Sequence, residues 1–125
     1  DKIHFMRDLT RGGMGSIFNE IAQHINKKII VEEANIPVQS ETKMASEMLG
    51  INHLYLANEG NVCIFCDKSI SNDVVAELHK CKYGQHASIC GQVTNVNSGA
   101  VVMNTIDNHE KVIEFLVNQE LPRLC

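Results

Sequence analysis

A run of charged residues and glycines near the beginning of the chain has the composition of an anion-binding segment. Its residues of interest are Arg7, Asp8, Thr10, Arg11, Gly12 and Gly13. Glycines just before a helix let backbone N–H groups approach a phosphate, and the helix N-terminus adds partial positive charge. The arginines could add bidentate phosphate contacts, and Asp8 could hold a metal ion or orient an arginine. Because the run is not a Walker loop, its spacing alone favours a structural role, with glycines that allow tight packing and an Arg–Asp pair that closes a turn.

A second candidate is the carboxylate in Asn58-Glu59-Gly60, a segment predicted to form a turn between two extended stretches. A turn between a hydrophobic run and a core strand has rigid supports, and functional side chains are often placed at such positions. Without further context, a solvated glutamate is the simpler interpretation of Glu59.

Two of the five cysteines form a Cys-x-x-Cys sequence at Cys63 and Cys66. Residues three apart in a strand point to opposite faces, so we expect core cysteines and no metal site in this chain. Cys125 is not expected to be a core cysteine, because it ends a segment without an amphipathic pattern. The nine residues from Val117 reach about 30 Å when extended, far enough to enter a site on another domain or protein. The alternative is a chance terminal cysteine.

Composition limits the class of protein. Of the 125 residues, 44% are hydrophobic, 21% are charged and two are proline, which excludes a disordered or collagen-like chain. The net charge is −4, and Lys and Arg do not cluster, so no nucleic-acid footprint is expected. No apolar run approaches the roughly 18 residues of a membrane span. An odd cysteine count without an export signal favours the cytosol, and the initial Asp1 suggests a piece of a longer protein.

Hydrophobic spacing predicts the elements that must position these residues. Helices are expected after Ser16 as N-cap, from about Ser40 to Gly50, and from Ser71 as N-cap to near Gly84. Their apolar faces are Ile17, Phe18, Ile21, Ala22 and Ile25, then Met44, Ala45, Met48 and Leu49, then Val74, Val75 and Leu78. Strands are expected at 29–31, 62–66, 88–94 and 100–105, the last two joined as a hairpin at 97–99, while 111–117 is extended or helical. The prediction is one α+β domain at 1–117, a mixed β-sheet with packed helices, and a mobile tail at 118–125.

Three segments resemble the C-terminal half of the HypE family of hydrogenase expression/formation proteins, within the aminoimidazole ribonucleotide synthetase superfamily. They are Met-Arg-Asp-Leu-Thr-Arg-Gly-Gly at 6–13, Tyr-Leu-Ala-Asn-Glu-Gly at 55–60 and Leu-Pro-Arg-Leu-Cys at 121–125. The resemblance spans essentially the whole chain. The arginine–glycine motif is widespread in the superfamily, whereas the Pro-Arg-aliphatic-Cys ending is specific to HypE. Leu9 stands where the family usually has proline, which loosens the turn and removes no functional group.

The resemblance implies a three-layer α+β domain of an ATP-dependent carbamoyl dehydratase. In HypE-like proteins, the carbamoyltransferase HypF loads a carbamoyl group onto the C-terminal thiol, here Cys125. The S-carboxamide is dehydrated with ATP to a thiocyanate, and the cyano group passes to iron carried by HypC and HypD as a ligand of [NiFe] hydrogenase. ATP and Mg²⁺ bind mainly to an N-terminal domain that this chain does not contain, so the isolated domain is expected to be inactive. The full-length protein is expected to be a homodimer.

The resemblance also gives roles to the candidate residues. Cys125 is the covalent carrier, Glu59 the base that takes protons from the carboxamide nitrogen, and Asn58 orients the carboxamide. The phosphate and nucleotide site is expected at Arg7, Asp8, Thr10, Arg11, Gly12 and Gly13. Two alternatives stay open: a docking and carrier module without catalysis, and a paralogous ATP-dependent synthetase of selenophosphate or purine synthesis.

Overall fold

The computed structural model describes residues 2–116 and contains three helices and six strands within them. In chain order these are β1 Ile3–Leu9, α1 Gly13–Ile25, β2 Ile29–Glu32, α2 Ser40–Leu49, β3 Asn58–Cys66, α3 Ser71–His79, β4 Gly91–Val93, β5 Val101–Asn104 and β6 Glu110–Val112. The predicted tail at 118–125, with Cys125, lies outside the described residues. None of the described helices is long and apolar enough to cross a membrane.

Two separate sheets form the β-structure. The larger has the strand order β4-β2-β5-β6, with β2 and β5 parallel and the other pairs antiparallel. The smaller contains only β1 and β3, which are antiparallel. The prediction of an α+β fold with a mixed sheet is therefore confirmed.

The predicted hairpin between residues 88–94 and 100–105 is wrong, because β4 and β5 pair with opposite edges of β2. The first three residues of β5 are all buried, and a strand that is apolar throughout is stabilised by a position inside a sheet. Gly91 allows β4 to approach β2 closely, since a Cβ there would lie 2.3 Å from the carbonyl oxygen of Ile30. The turn at 97–99 therefore leads the chain past β2 instead of back along β4.

Helix α1 packs its apolar face into the core of the domain. Ile17, Phe18 and Ala22 are buried in one cluster with residues of β2 and β5, and the ring of Phe18 meets the ring of Phe65 from β3 edge to face at 5.6 Å. The predicted face is thus confirmed, except that Ile25 is 40% exposed.

The predicted N-cap of α1 is wrong by one turn. The helix begins at Gly13, with Gly12 as its cap in the left-handed conformation at φ 76°. Ser16 lies buried inside the first turn, where its backbone N–H donates to Gly12 O at 3.2 Å. A glycine can adopt this φ without steric cost, so the helix extends back into the glycine-rich run.

Helix α2 has the predicted bounds but exposes the predicted apolar face. It ends at Leu49 with Gly50 as its C-cap, whose φ of 65° is typical of the residue that follows a helix. Met44, Met48 and Leu49 are 62%, 82% and 71% exposed, and the helix buries only Ser46. Within the described residues, this apolar face therefore does not belong to the core.

Helix α3 half-buries Val74, Val75 and Leu78 as predicted, but it ends at His79, before Gly84. Ser71 is its first residue and not its N-cap; its hydroxyl donates to Lys68 O at 3.0 Å. Of the region at 111–117, predicted to be extended or helical, Lys111 and Val112 belong to β6, and residues 113–116 are neither helix nor strand.

Candidate functional site

The pairing of β1 with β3 brings the two predicted site segments together. Asp8 lies opposite Val62, and the next residue of β1, Leu9, lies opposite Asn58. One step along β1 thus corresponds to four along β3, so that residues 59–61 bulge out of the ladder. The turn predicted at Asn58-Glu59-Gly60 is therefore a bulge inside one continuous strand, a feature that often re-aims side chains near active sites.

The bulge presents Glu59 to solvent. Asn58, Glu59 and Gly60 are all exposed, and Asn58 Oδ1 accepts a hydrogen bond from the backbone N–H of Gly60 at 3.3 Å. This long hydrogen bond spans the start of the bulge, and the exposed Glu59 side chain is accessible to a reacting group.

The glycines in the first turn of α1, Gly13 and Gly15, allow close packing. Gly13 has a φ of 60°, and a Cβ there would lie 2.5 Å from Leu56 O and 2.6 Å from Leu54 O. At Gly15, a Cβ would lie 2.6 Å from the ring of Tyr55. The packing role that the spacing favours is thus confirmed for Gly13. The same turn holds the first N–H groups of α1, which have no acceptor within the helix.

The charged residues of the first segment pair differently from the prediction. Arg7 Nη1 donates to Glu20 Oε2 on α1 at 2.6 Å, with both side chains more than a third exposed. Asp8 Oδ2 accepts from the Thr10 hydroxyl at 3.2 Å. Asp8 therefore contacts Thr10, and the predicted Arg–Asp pair is replaced by an ion pair to the helix. Arg11 is exposed.

A group of hydrogen bonds holds the backbone at Ile113 and Glu114, where the described chain approaches its end. Ile113 N–H donates to Val101 O at 2.9 Å, and buried Asn19 donates through Nδ2 to Ile113 O at 2.9 Å. The Tyr55 hydroxyl donates to Glu114 O at 2.6 Å. We call Ile113 and Glu114 the C-terminal root.

Tyr55 is fitted to its role as a hydrogen-bond donor at the C-terminal root. Partial burial, and then the negative charge of Glu114, raise the pKa of Tyr55 above its ordinary value, so the phenol stays protonated at neutral pH. Asn19 also donates to Gly15 O at 2.8 Å, which ties the root to the first turn of α1. Sequence reasoning assigned no role to Tyr55, Asn19 or Glu20; the only sequence signal was Tyr55 at the start of the second quoted motif.

Cys63, Cys66 and Cys90 are half-buried, and Cys81 is exposed. Cys63 and Cys90 pack against the core, and burial is the main cause that raises the pKa of each thiol. Across residues 2–116, no group of three or more His, Cys, Asp or Glu side chains is arranged to hold a metal ion.

The mixed sheet, the helix that begins in a glycine turn and the β1–β3 pair define an α+β domain. Residues 1–104 match the family described as AIR synthase related protein, C-terminal domain. The chain belongs to this family.

Curated relatives extend the similarity over almost the whole chain. It is 35% identical over 123 residues to the carbamoyl dehydratase HypE of Rhodobacter capsulatus, which covers 98% of this chain and 36% of that protein. It is 30% identical over 120 residues to carbamoyl dehydratase HypE of Escherichia coli K12, which covers 96% of this chain and 35% of that protein. The chain thus spans about a third of the length of these relatives.

Solved structures of HypE share the fold. The chain superposes on hydrogenase maturation protein HypE in complex with ATP with a TM-score of 0.90 and 34% identity, covering 99% of this chain and 38% of that one. The corresponding values for the HypE–HypF complex are 0.85 and 32%, covering 90% of this chain and 36% of that one.

Proposed function

We propose that this chain is the C-terminal part of an ATP-dependent carbamoyl dehydratase of the HypE type. Residues 1–117 form its domain, and 118–125 form a tail that ends in the carrier Cys125. The observation that carries the proposal is the register of β1 against β3, which places the arginine–glycine segment beside the Asn58–Gly60 bulge. Two motifs that are some 50 residues apart in the sequence thereby meet at one edge of the domain.

The proposed reaction converts the S-carboxamide of Cys125 to a thiocyanate, with ATP converted to ADP and phosphate. ATP phosphorylates the carboxamide oxygen, which makes it a leaving group. A base removes the two protons from the nitrogen, the carbon–oxygen bond breaks with release of phosphate, and the nitrile forms. Overall, one water is lost from the adduct, its oxygen leaving on phosphate.

Glu59 is the proposed base. Its side chain is exposed on the bulge, where an arriving carboxamide could reach it, and a carboxylate within hydrogen-bond reach of the carboxamide nitrogen can accept its protons. Asn58 orients the carboxamide. Because its Oδ1 accepts from Gly60 N–H, Asn58 would use its amide nitrogen to donate to the carboxamide oxygen.

The first segment is the proposed phosphate site. Arg7, Arg11 and the N–H groups at Gly12 and Gly13 neutralise phosphate charge, and Asp8 and Thr10 complete the site. Arg7 shares its guanidinium with Glu20, and the remaining donors of its planar fork can bind an anion. Mg²⁺ that accompanies ATP is proposed to bind mainly to the N-terminal domain of the full-length protein.

The partners follow from the same proposal. A solved complex of HypE with HypF supports HypF as the carbamoyl donor for Cys125. We further propose HypC–HypD as the acceptor of the cyano group, a homodimeric full-length protein, and a cytosolic location.

The test is the variant Glu59→Gln in the full-length protein, incubated with HypF, carbamoyl phosphate and ATP. Mass spectrometry of the C-terminal peptide should show the Cys125 adduct form normally and then fail to lose water, because glutamine cannot accept the protons. Glu47→Gln, on the exposed side of α2, is the matched control and should dehydrate normally. A normal thiocyanate yield in Glu59→Gln would remove Glu59 from the mechanism, and modification elsewhere than Cys125 would refute the proposal.

A docking and carrier module is the second candidate, because the chain spans only about a third of its relatives. Calorimetry of the chain with Mg-ATP discriminates between the two. Tight binding to this chain alone argues against a role without catalysis.

A further inference from the structure

We propose that the outer edge of β6 is a docking site for an extended segment of a partner protein, in which basic side chains alternate with apolar ones. The site is the groove between residues 110–114 and residues 50–56, which we call the edge groove. The proposal goes beyond the proposed reaction and does not depend on it.

The outer edge of β6 carries backbone groups that point away from the sheet. β6 is the last strand of the larger sheet, and within residues 2–116 it pairs only with β5. In this antiparallel ladder, the N–H of Ile113 donates to Val101 O at 2.9 Å. Because alternate residues of such a ladder bond to one neighbour, the N–H and C=O groups of Glu110 and Val112 point to the outer edge. These are the groups with which a further strand would pair.

The outer edge of β6 faces a groove large enough for a ligand. The edge groove has a volume of about 880 Å³, within the range of about 300–1,000 Å³ that is usual for ligand pockets. Its two walls are joined by the hydrogen bond from the Tyr55 hydroxyl to Glu114 O, which is 2.6 Å long. An open strand edge beside a groove for side chains is the arrangement that binds extended peptides by strand addition.

The wall formed by residues 50–56 offers apolar surface to such a peptide. Ile51 lines the edge groove and is 41% exposed, and buried Leu54 and Met103 also line it. Successive side chains of a strand point to opposite faces. A strand added to β6 would therefore direct every second side chain toward this wall, which is why we expect apolar residues of period two in the partner.

The charges of the groove favour a basic partner. A second cavity of about 290 Å³ shares part of its lining with the edge groove and extends it. The charged side chains that line the two are four carboxylates and one lysine: Glu33, Glu47, Glu110, Glu114 and Lys111. Glu110 also has an ion-pair partner, Lys28 at 3.8 Å, and the balance stays negative when Lys28 is counted.

This charge balance distinguishes a basic partner from a second copy of the chain. A negative groove attracts lysine and arginine side chains and discriminates against acidic segments. A second copy that paired through its own β6 would bring the same carboxylates to the edge, and like charges directly opposite on paired strands are destabilising. The occupant we propose is therefore a different protein with a basic, extended segment.

The test uses the full-length protein and four synthetic peptides of about six residues, the length of a typical strand. Valine and lysine alternate in the first peptide, and glutamate replaces lysine in the second. The other two are copies of the first that are N-methylated either on every valine or on every lysine. Calorimetry measures the dissociation constant, and amide hydrogen exchange locates the bound peptide.

We expect the valine–lysine peptide to bind and to slow exchange at Glu110 and Val112. The valine–glutamate peptide should bind at least about tenfold more weakly, because its charges match those of the groove. Only every second residue of an added strand donates to its neighbour. Methylation of one set of nitrogens should therefore weaken binding at least about tenfold, whereas methylation of the other set should have little effect. An equal response to both methylations would overturn the proposal, because the peptide would not be paired with the edge.

The variant Glu110→Lys reverses a charge at the edge and leaves the backbone groups in place. We expect it to weaken binding of the valine–lysine peptide and to strengthen binding of the valine–glutamate peptide, a gain that loss of folding cannot produce. Glu77→Lys is the matched control, since the Glu77 side chain on α3 is 72% exposed and does not line the groove, and it should change neither.

Three further results would overturn the proposal. The first is that the valine–lysine peptide does not bind the full-length protein. The second is that Glu110→Lys keeps the original preference between the two peptides. The third is that the amides of Glu110 and Val112 are already protected before any peptide is added, because another part of the full-length chain or a second copy would then cover the edge.

Discussion

Replacing Gly13 with alanine should destabilise the domain through a close backbone approach and not only through its φ angle. A Cβ at position 13 would meet the carbonyl oxygens of Leu56 and Leu54 at 2.5 and 2.6 Å. Both are backbone atoms, so no side-chain rotation can relieve the overlap. Gly50 is a natural reference, since its φ of 65° is similar and nothing lies within 4 Å of a Cβ built there.

The two substitutions share one cost and differ in another. Alanine in the left-handed region costs about 1–2 kcal/mol, partly offset by about 0.4–1 kcal/mol because alanine reduces the conformational entropy of the unfolded chain. Gly50→Ala should therefore lower the free energy of unfolding by about 1 kcal/mol. Gly13→Ala adds an overpacking cost of about 1–3 kcal/mol, which gives a total of about 2–4 kcal/mol.

Urea unfolding followed by far-ultraviolet circular dichroism measures both changes by linear extrapolation. Gly60→Ala serves as a second control, because a Cβ there would meet nothing within 4 Å and its φ is not in the left-handed region. If Gly13→Ala and Gly50→Ala lower the free energy of unfolding by the same amount, the close approach to residues 54–56 adds no cost. The packing explanation of Gly13 is then wrong.

Three further predictions concern the reactivity of thiols, the pH dependence of stability and an ion pair. Because burial raises the pKa of Cys63 and Cys90, both thiols should react with iodoacetamide more slowly than exposed Cys81 at about pH 8, as peptide mass spectrometry after timed quenching would show; equal rates would contradict it. The folded-state pKa values lie above those of unfolded thiols, so the free energy of unfolding should fall as pH rises above about 8.5, where the unfolded chain loses protons first. The side chains of the Arg7–Glu20 pair are 38% and 43% exposed, so solvent screens their attraction. A double-mutant cycle on the free energy of unfolding should therefore give a coupling below about 1 kcal/mol. A coupling above about 2 kcal/mol would contradict this screening argument.

Local patterns in the sequence predict the helices well. The apolar spacing of α1 and α3 and the glycine after α2 are properties of a few consecutive residues, and the structure confirms them. Strand β1 is not among the predicted strands, because Arg7 and Asp8 interrupt its apolar pattern. The pairing of β4 and β5 was mispredicted, because it depends on β2, which is distant in the sequence.

The candidate site also combines features that the local sequence predicts with features that depend on distant residues. Residue type and motif identified Glu59 and the arginine–glycine run, but their meeting depends on a strand register that no local pattern contains. Glu20, Asn19 and Tyr55 were not identified as partners, since each acts on a residue far away in the sequence. Cys125 lies outside the described residues, so its role as carrier stays a prediction.

The central position of β2 also dictates when the domain can fold. Glu32 at the end of β2 and Asn104 at the end of β5 are hydrogen-bonded at 2.7 Å although 72 positions separate them. During synthesis, β2 leaves the ribosome before β4 and β5, so both of its edges are unpaired for a time, which is the condition that favours slow folding and aggregation. A nascent chain that stops before residue 101 lacks β5 and cannot complete its sheet.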